Sequence, residues 1–252
     1  MRLASDTGWS STDGVTSKDT LTGTADPNAS VTIALGGTVL GTATANASGA
    51  WSFTPRGLAD GPYTITASET NATGLTGSAS LNFTLDTSVP AVTSHIVSGA
   101  GIVAGGGLLT AGEMAVFTLT MSEAVMVSGG TPALTLNDGG TAVYDAAHST
   151  STALVFDYTV AAGQYANALS VTGINLNGAA VTEVAGNAAN FAGAVASFGS
   201  AGNMHLTAGN QGQQWLVGGP GDTLTGGKSS DTFMFAPGFG KETISNFNAS
   251  TT

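Results

Sequence analysis

Apolar and polar residues alternate along short stretches of this chain with a period of two. In Val31-Thr32-Ile33-Ala34-Leu35, Trp51-Ser52-Phe53, Tyr63-Thr64-Ile65-Thr66-Ala67 and Leu81-Asn82-Phe83-Thr84-Leu85, every second residue is apolar. Successive side chains of an extended strand point to opposite faces, so this spacing predicts strands with one buried face. Threonine at the intervening positions suits a pleated surface. Gly36-Gly37, Ala47-Ser48-Gly49 and Asp60-Gly61-Pro62 separate the stretches and read as turns. Strands recurring at roughly 8–12 residues with no helical period predict a β-sandwich.

Asp86-Thr87-Ser88-Val89-Pro90 closes this first unit. Pro90 lacks an N–H and biases Val89 toward extended geometry, so the segment reads as a stiff linker. The pattern then resumes. Strands are expected at Ala115 to Met121, Ala133 to Leu136, Ala142 to Tyr144, Leu154 to Val160 and Leu169 to Val171, with a short one at Ile174 to Leu176. Asn137-Asp138-Gly139-Gly140 and Asn177-Gly178 read as hairpin turns. The alanine-rich stretch from Val184 to Val195 has room for a helical turn, but Gly186 and Gly193 argue against a long helix. Near residue 198 the texture changes to a period of nine: Ala208 to Leu216, Val217 to Thr225 and Gly226 to Met234. The eighth column reads Trp215, Leu224, Phe233 and the sixth reads Gln213, Asp222, Asp231. One apolar residue per nine can fill the core of a stacked β-coil. The expected division is therefore 1–90, 91–197 and 198–252.

Composition narrows the function. Charged residues make up only 8% of the chain, against about 25% in an average soluble domain. The surface must therefore be covered by Ser, Thr, Asn and Gly. Five Lys and Arg against sixteen Asp and Glu give a net charge of −11. Nucleic acid is a poor partner for such a chain, because phosphate contacts need clustered basic residues. Hard cations suit it better, Ca²⁺ above all, since carboxylate and carbonyl oxygens are its ligands. No Cys is present, so neither a disulfide framework nor a thiolate zinc site exists. No apolar run reaches about 18 residues, the length of a membrane-spanning helix. Met1 to Asp6 lacks the apolar stretch of a signal peptide, and the chain reads as a piece of a longer protein.

No H-E-x-x-H, G-x-S-x-G or phosphate-binding glycine loop occurs, and His95, His148 and His205 stand far apart. A non-enzymatic chain is expected. Asp6, Asp13 and Asp86 flank the first unit. Their spacing fits two readings: turn-shaping through local hydrogen bonds, or a Ca²⁺ site at a domain junction, where two modules can supply several oxygens at once.

Three stretches carry a resemblance. L-T-G-T-A-D-P-N-A-S-V-T (Leu21 to Thr32), A-S-G-A-W-S-F-T-P (Ala47 to Pro55) and L-A-D-G-P-Y-T-I-T-A (Leu58 to Ala67), with the closing F-T-L-D-T-S-V-P, resemble bacterial Ig-like repeats of very large adhesins and biofilm-associated proteins. That resemblance implies Ca²⁺ at module junctions, with Asp86, Asp6 and Asp13 among the ligands. F-T-L-T-M-S-E-A-V (Phe117 to Val125), T-P-A-L-T-L-N-D-G-G-T-A (Thr131 to Ala142) and L-V-F-D-Y-T-V (Leu154 to Val160) are similar to a second repeat of such proteins, with Glu183 where Asp is expected. The tail from Trp215 to Phe247 is similar to the repeats-in-toxin (RTX) nonapeptide region. That likeness implies a parallel β-roll and Ca²⁺ ligation around Gly218, Gly219, Gly221, Asp222, Gly227 and Asp231. Two departures stand out: Gly218 to Asp222 is one residue shorter than the pattern, and Ser229 replaces a glycine.

The expectation is an all-β chain of two tandem Ig-like sandwiches and a short, incomplete RTX-type roll. It would act as a calcium-stiffened spacer or adhesive segment of a secreted or surface-anchored bacterial protein exported by a type I system. Through its parent protein it would contact a host or matrix surface. One alternative is the accessory tail of a type I-secreted RTX enzyme, a metalloprotease or polysaccharide-degrading enzyme. Another is a carbohydrate-binding module, for which Trp9, Trp51 and Trp215 are the only tryptophans.

Overall fold

The computed structural model describes residues 1–100, 102–103, 106–109, 111–162, 164–166, 169–197, 203–207, 215–218, 223–225, 232–235, 241 and 243–245. These are almost entirely β. In chain order the strands begin with β1 (Arg2–Leu3), β2 (Val15–Thr16), β3 (Leu21–Thr24), β4 (Ser30–Leu35), β5 (Thr38–Thr44), β6 (Ala50–Phe53), β7 (Gly61–Thr70) and β8 (Thr76–Leu85). They continue with β9 (Val92–Gly99), β10 (Ile102–Val103), β11 (Gly106–Leu109), β12 (Met114–Met121), β13 (Met126–Ser128), β14 (Ala133–Leu136), β15 (Thr141–Tyr144) and β16 (Ala153–Thr159). Next come β17 (Tyr165–Ala166), β18 (Ser170–Asn175) and β19 (Ala180–Thr182), a 3₁₀ turn at Ala192–Ala194, and β20 (Ala196–Ser197). The last are β21 (Asn203–Thr207), β22 (Trp215–Gly218), β23 (Thr223–Thr225), β24 (Thr232–Phe235) and β25 (Thr243–Ser245).

The chain forms two compact units. The first contains Met1–Val92, Met121–Gly130 and Gly178–Phe191; the second contains Thr93–Thr120, Thr131–Asn177 and Ala192–Thr252. In the first unit a three-stranded sheet, β1-β3-β6, and a five-stranded sheet, β2-β8-β7-β4-β5, share one core. Leu21 and Trp51 come from the smaller sheet; Val31, Ile33, Ile65, Ala67, Phe83 and Leu85 come from the larger. The two-residue alternation is what places them there. Phe53, on the same face of β6 as Trp51, is only partly buried and packs against the core. Its ring explains Gly41 in β5, where an added Cβ would stand 2.7 Å from it. Gly36 and Gly37 both adopt positive φ, which lets the β4–β5 hairpin turn tightly. The short strands β13 and β19 pair antiparallel in this same unit.

The second unit holds a seven-stranded sheet, β20-β18-β14-β15-β16-β12-β9, and a four-stranded sheet, β10-β11-β21-β17. Along β12, Ala115, Phe117, Leu119 and Met121 are buried, and along β16, Leu154, Phe156 and Tyr158 are buried. Antiparallel register sets Phe117 opposite Phe156 and Leu119 opposite Leu154. These cross-strand pairs build the buried face. Tyr144 meets Phe156 edge-on with ring centroids 5.7 Å apart. The expected strands at 169–171 and 174–176 form one strand, β18, and Gly173 lies within it. Asn177 and Gly178 both take positive φ as a tight turn requires, yet β18 and β19 then pair with different strands. The turn is therefore not a hairpin.

Beyond residue 207 the described strands pair parallel in alternation: β22 with β24 and β23 with β25. Trp215 lies opposite Thr232 and Leu216 opposite Phe233. Trp215 and Phe233, which share a column in the period of nine, are thus offset by one residue.

Ile33 and Phe117 are fully buried, one in each unit. Ile33→Ala should cost about 2–5 kcal/mol and Phe117→Ala about 3–5 kcal/mol of unfolding free energy, measured by urea denaturation.

Candidate functional site

Asp6 and Asp13 come together. Both line a cleft of about 530 Å³ in the first unit, with Arg2, Ser11, Thr12 and Asn82 among the other walls. Asp6 accepts from the Gly14 amide through Oδ2 at 3.0 Å, while its Oδ1 is buried without a hydrogen-bond partner. Asp13 Oδ1 accepts from Val15 N at 3.0 Å, so this carboxylate shapes its own turn. Asp86 does not join them. It follows β8, and its Oδ1 accepts from Ser88 N at 3.0 Å. Among the described residues no three Asp, Glu or His side chains converge as a set that could hold a metal ion. Gly218 ends β22, and Gly219, Gly221, Asp222, Gly227 and Asp231 lie outside the described residues.

Asp86 instead belongs to a hydrogen-bonded strap that runs from residue 86 to residue 92. Asp86 N donates to Thr16 O at 3.0 Å, and Asp86 O accepts from Asn187 Nδ2 at 2.8 Å. Thr87 donates its amide and its hydroxyl to Asp60 Oδ1 at 2.9 and 2.8 Å, and Ser88 Oγ donates to Asp60 Oδ2 at 3.0 Å. Asn190 N donates to Pro90 O at 2.7 Å, and Ser122 N donates to Ala91 O at 2.8 Å. The segment that reads as a linker is therefore fastened along both sides.

The loop from Glu183 to Asn187 supplies much of that fastening. Glu183 is only 2% exposed. Its Oε2 accepts from Ala185 N at 2.5 Å and its Oε1 from Asn187 N at 2.7 Å, so the carboxylate folds its own loop. Two amide donors offset part of the desolvation of a buried carboxylate. The loop then grips the segment around residue 8. Thr7 Oγ1 donates to Ala185 O at 2.5 Å, Trp9 N to Val184 O at 3.2 Å and Trp9 Nε1 to Thr182 O at 3.2 Å. The backbones approach so closely that a Cβ on Gly8 would stand 1.9 Å from Val184 O. Gly8 also holds φ at +102°, so a side chain there is excluded twice.

Charge is unbalanced around this strap. Burial first, and then the negative charges of Asp86, Glu183 and Asp60, hold the Glu123 carboxyl above its ordinary value of 4.5. Asp60 shifts the other way, below 3.8, because the hydroxyl and then the amide of Thr87 bond its charged form. The ion pair of Asp145 with His148 lies in the second unit. Sequence reading passed over Glu123, and took Asp60 as a turn residue and Glu183 as a departure from a motif. Positions 60, 86, 123 and 183 share no spacing that could have grouped them. Trp51 is buried in the core, and Trp9 is 42% exposed with its ring nitrogen engaged, so these two form no sugar-stacking platform.

Residues 1–87 match the family model of the bacterial Ig-like domain. That span covers the two-sheet core of the first unit. No curated protein matches the chain. Among solved structures, the fibronectin(III)-like modules of Clostridium thermocellum CbhA are 14% identical, with 82% of this chain and 91% of that chain covered and a TM-score of 0.32. A 1.5-MDa bacterial ice-binding adhesin is 18% identical, with 81% and 63% covered and a TM-score of 0.38. A tetra-tandem repeat from the extending region of a large adhesion protein is 20% identical, with 74% and 46% covered and a TM-score of 0.25. The chain thus spans less than two thirds of each of these two adhesion-protein chains.

The opposed shifts at Glu123 and Asp60 give opposite pH signatures. A raised carboxyl contributes stability that is full below the ordinary value and is lost as pH rises through the folded one. A lowered carboxyl contributes stability that is present above the ordinary value and is lost as pH falls. Glu123→Gln should therefore raise the melting temperature at pH 7 and have little effect at pH 3. Asp60→Asn should lower it at pH 7, with the deficit shrinking toward pH 3. Thermal melts of both variants across that range check the pair.

Proposed function

We propose that this chain is a non-catalytic structural and adhesive segment of a large extracellular or surface-anchored bacterial protein, stiffened by calcium at the strap of residues 86–92. The observation that carries the reading is the strap itself. A segment that would otherwise hinge is hydrogen-bonded to Thr16, Asp60, Ser122, Asn187 and Asn190. A spacer that projects a binding tip needs segments held in this way, because each ordered residue costs about 1–2 kcal/mol of backbone entropy that its contacts must offset. The bacterial Ig-like match over residues 1–87 supports the extracellular setting.

Calcium fits the local charge. Asp60, Asp86, Glu123 and Glu183 load one region with negative charge, and a hard divalent cation taking carboxylate and carbonyl oxygens would relieve it. The paired Asp6 and Asp13 offer a second place for such an ion. For residues 198–252, the alternating parallel pairs support an RTX-like coil, in which Asp222 and Asp231 are the proposed ligands. Export by a type I system, and contact with a host or matrix surface through the parent protein, belong to the same proposal.

Calcium binding to the folded state alone raises stability by about 2.7 kcal/mol at a hundredfold excess over its dissociation constant. Millimolar calcium should raise the melting temperature of the intact chain relative to chelator. Asp86→Ala combined with Glu123→Gln should remove most of that rise. Identical melts in calcium and chelator would overturn the calcium part of the reading and leave a cation-independent spacer.

A further inference from the structure

Strand β8 carries an unclosed edge. Its ladder with β7 runs from Gly61↔Leu85 to Thr70↔Thr76. Pro62 lies opposite Thr84 and has no N–H, so Pro62 and Thr84 form a non-hydrogen-bonded pair, and the bonded pairs are the odd-numbered residues of β8. The even residues turn their N–H and C=O groups away from β7. Two points further along confirm this: Thr84 N donates to Gly14 O at 2.7 Å and Asp86 N to Thr16 O at 3.0 Å. Strand β2 covers only this end, pairing with Thr84 and Leu85. Thr76, Ser78, Ser80 and Asn82 point the same way, are exposed, and have no backbone partner on that side among the described residues.

The opposite edge of the sheet is managed differently. In β5 the register shifts past Ile33, a bulge that bends the strand, and Gly41 there sits under the ring of Phe53 from the other sheet. Nothing comparable protects β8. Proteins usually guard an edge with Lys, Pro or an inward-pointing charge. The sixteen residues from Thr70 to Leu85 contain no charge and no proline. On the core side of the edge, a gap of about 220 Å³ is lined by Met1, Val31, Trp51, Ala67 and Ala79.

We propose that the β8 edge joins two copies of this chain by antiparallel strand addition. Self-pairing suits it for two reasons. Alternate donors and acceptors on one strand complement the same strand turned through a two-fold axis, so the contact closes on itself. In a chain of net charge −11, this uncharged run is also where two copies approach with least repulsion. A register centred on Ala79 pairs Ser78 with Ser80 of the second copy, at the stretch of the edge clear of Gly14, which packs beside the Asn82 carbonyl. It sets the two Ala79 side chains directly opposite each other, beside the gap that Ala79 lines together with Trp51 and Glu69.

Sedimentation equilibrium of the full chain tests this, with melting curves as the control for folding. Wild type should show a monomer–dimer equilibrium. Ser78→Pro removes one outward donor per copy without touching the ladder to β7. It should weaken the dimer at least about tenfold while leaving the melting temperature nearly unchanged. Ala79→Lys and Ala79→Glu should each be monomeric, since like charges would face each other, and an equimolar mixture of the two should dimerise again. A wild type that is monomeric at all concentrations overturns the proposal, as does a dimer indifferent to Ser78→Pro and to both Ala79 variants. A monomer whose β8 amides become protected only on adding an unrelated extended peptide also overturns it, and assigns the edge to a foreign strand.

Discussion

A strand that buries alternate side chains still carries unpaired backbone groups along its edges, and the organisation of this chain follows from how each edge is closed. In the first unit, the core formed by Leu21, Ile33 and Ile65 requires two facing sheets, and two sheets have four outer edges. A bulge and the Phe53 ring deal with β5. Strand β2 is too short to cover more than the end of β8. The strap of residues 86–92 finds partners of its own, with Ala91 bridged to Asn190. A chain with so few ionic side chains has little else with which to protect an edge, so main-chain pairing carries much of its specificity.

Scarcity of charge also changes what each remaining charge does. Asp60, Asp86 and Glu183 all spend oxygens on nearby N–H or O–H groups, and those bonds shape the strap and the loop that grips it. Glu123 gains no such bond strong enough to offset burial and three acidic neighbours, so its carboxyl is pushed up while that of Asp60 is pulled down. Two carboxylates of one region thus diverge because one receives donors and the other is buried beside like charge.

The strands with strict alternation were legible from residue order alone. Ala133 to Leu136 agrees at both ends, and β4, β6, β7 and β8 were each recognised by their apolar column. Strands β3 and β5 were not, because Leu21-Thr22-Gly23-Thr24 and Thr38 to Thr44 hold too few large apolar residues to show a period. Their place comes from partners: β3 is paired on both sides, and β5 lies along β4. The period of nine set Trp215 and Phe233 in one column, whereas the described strands pair with Trp215 opposite Thr232 and Leu216 opposite Phe233.

The candidate site divides in the same way. Residue order by itself determined the all-β class, the two-residue burial rhythm, the turn glycines and the acidic balance, because each of these depends on local spacing and composition. Only the tertiary structure decided that Asp6 and Asp13 share a cleft without Asp86, that Asp86 shares its surroundings with Asp60, Glu123 and Glu183, and that Gly8 must be glycine. The glycine at position 8 depends on segments more than a hundred residues apart meeting in space. Thr7 reaches Ala185 and Asp86 reaches Asn187 because sheet pairing brings their loops together, and no short-range pattern in the chain encodes that meeting.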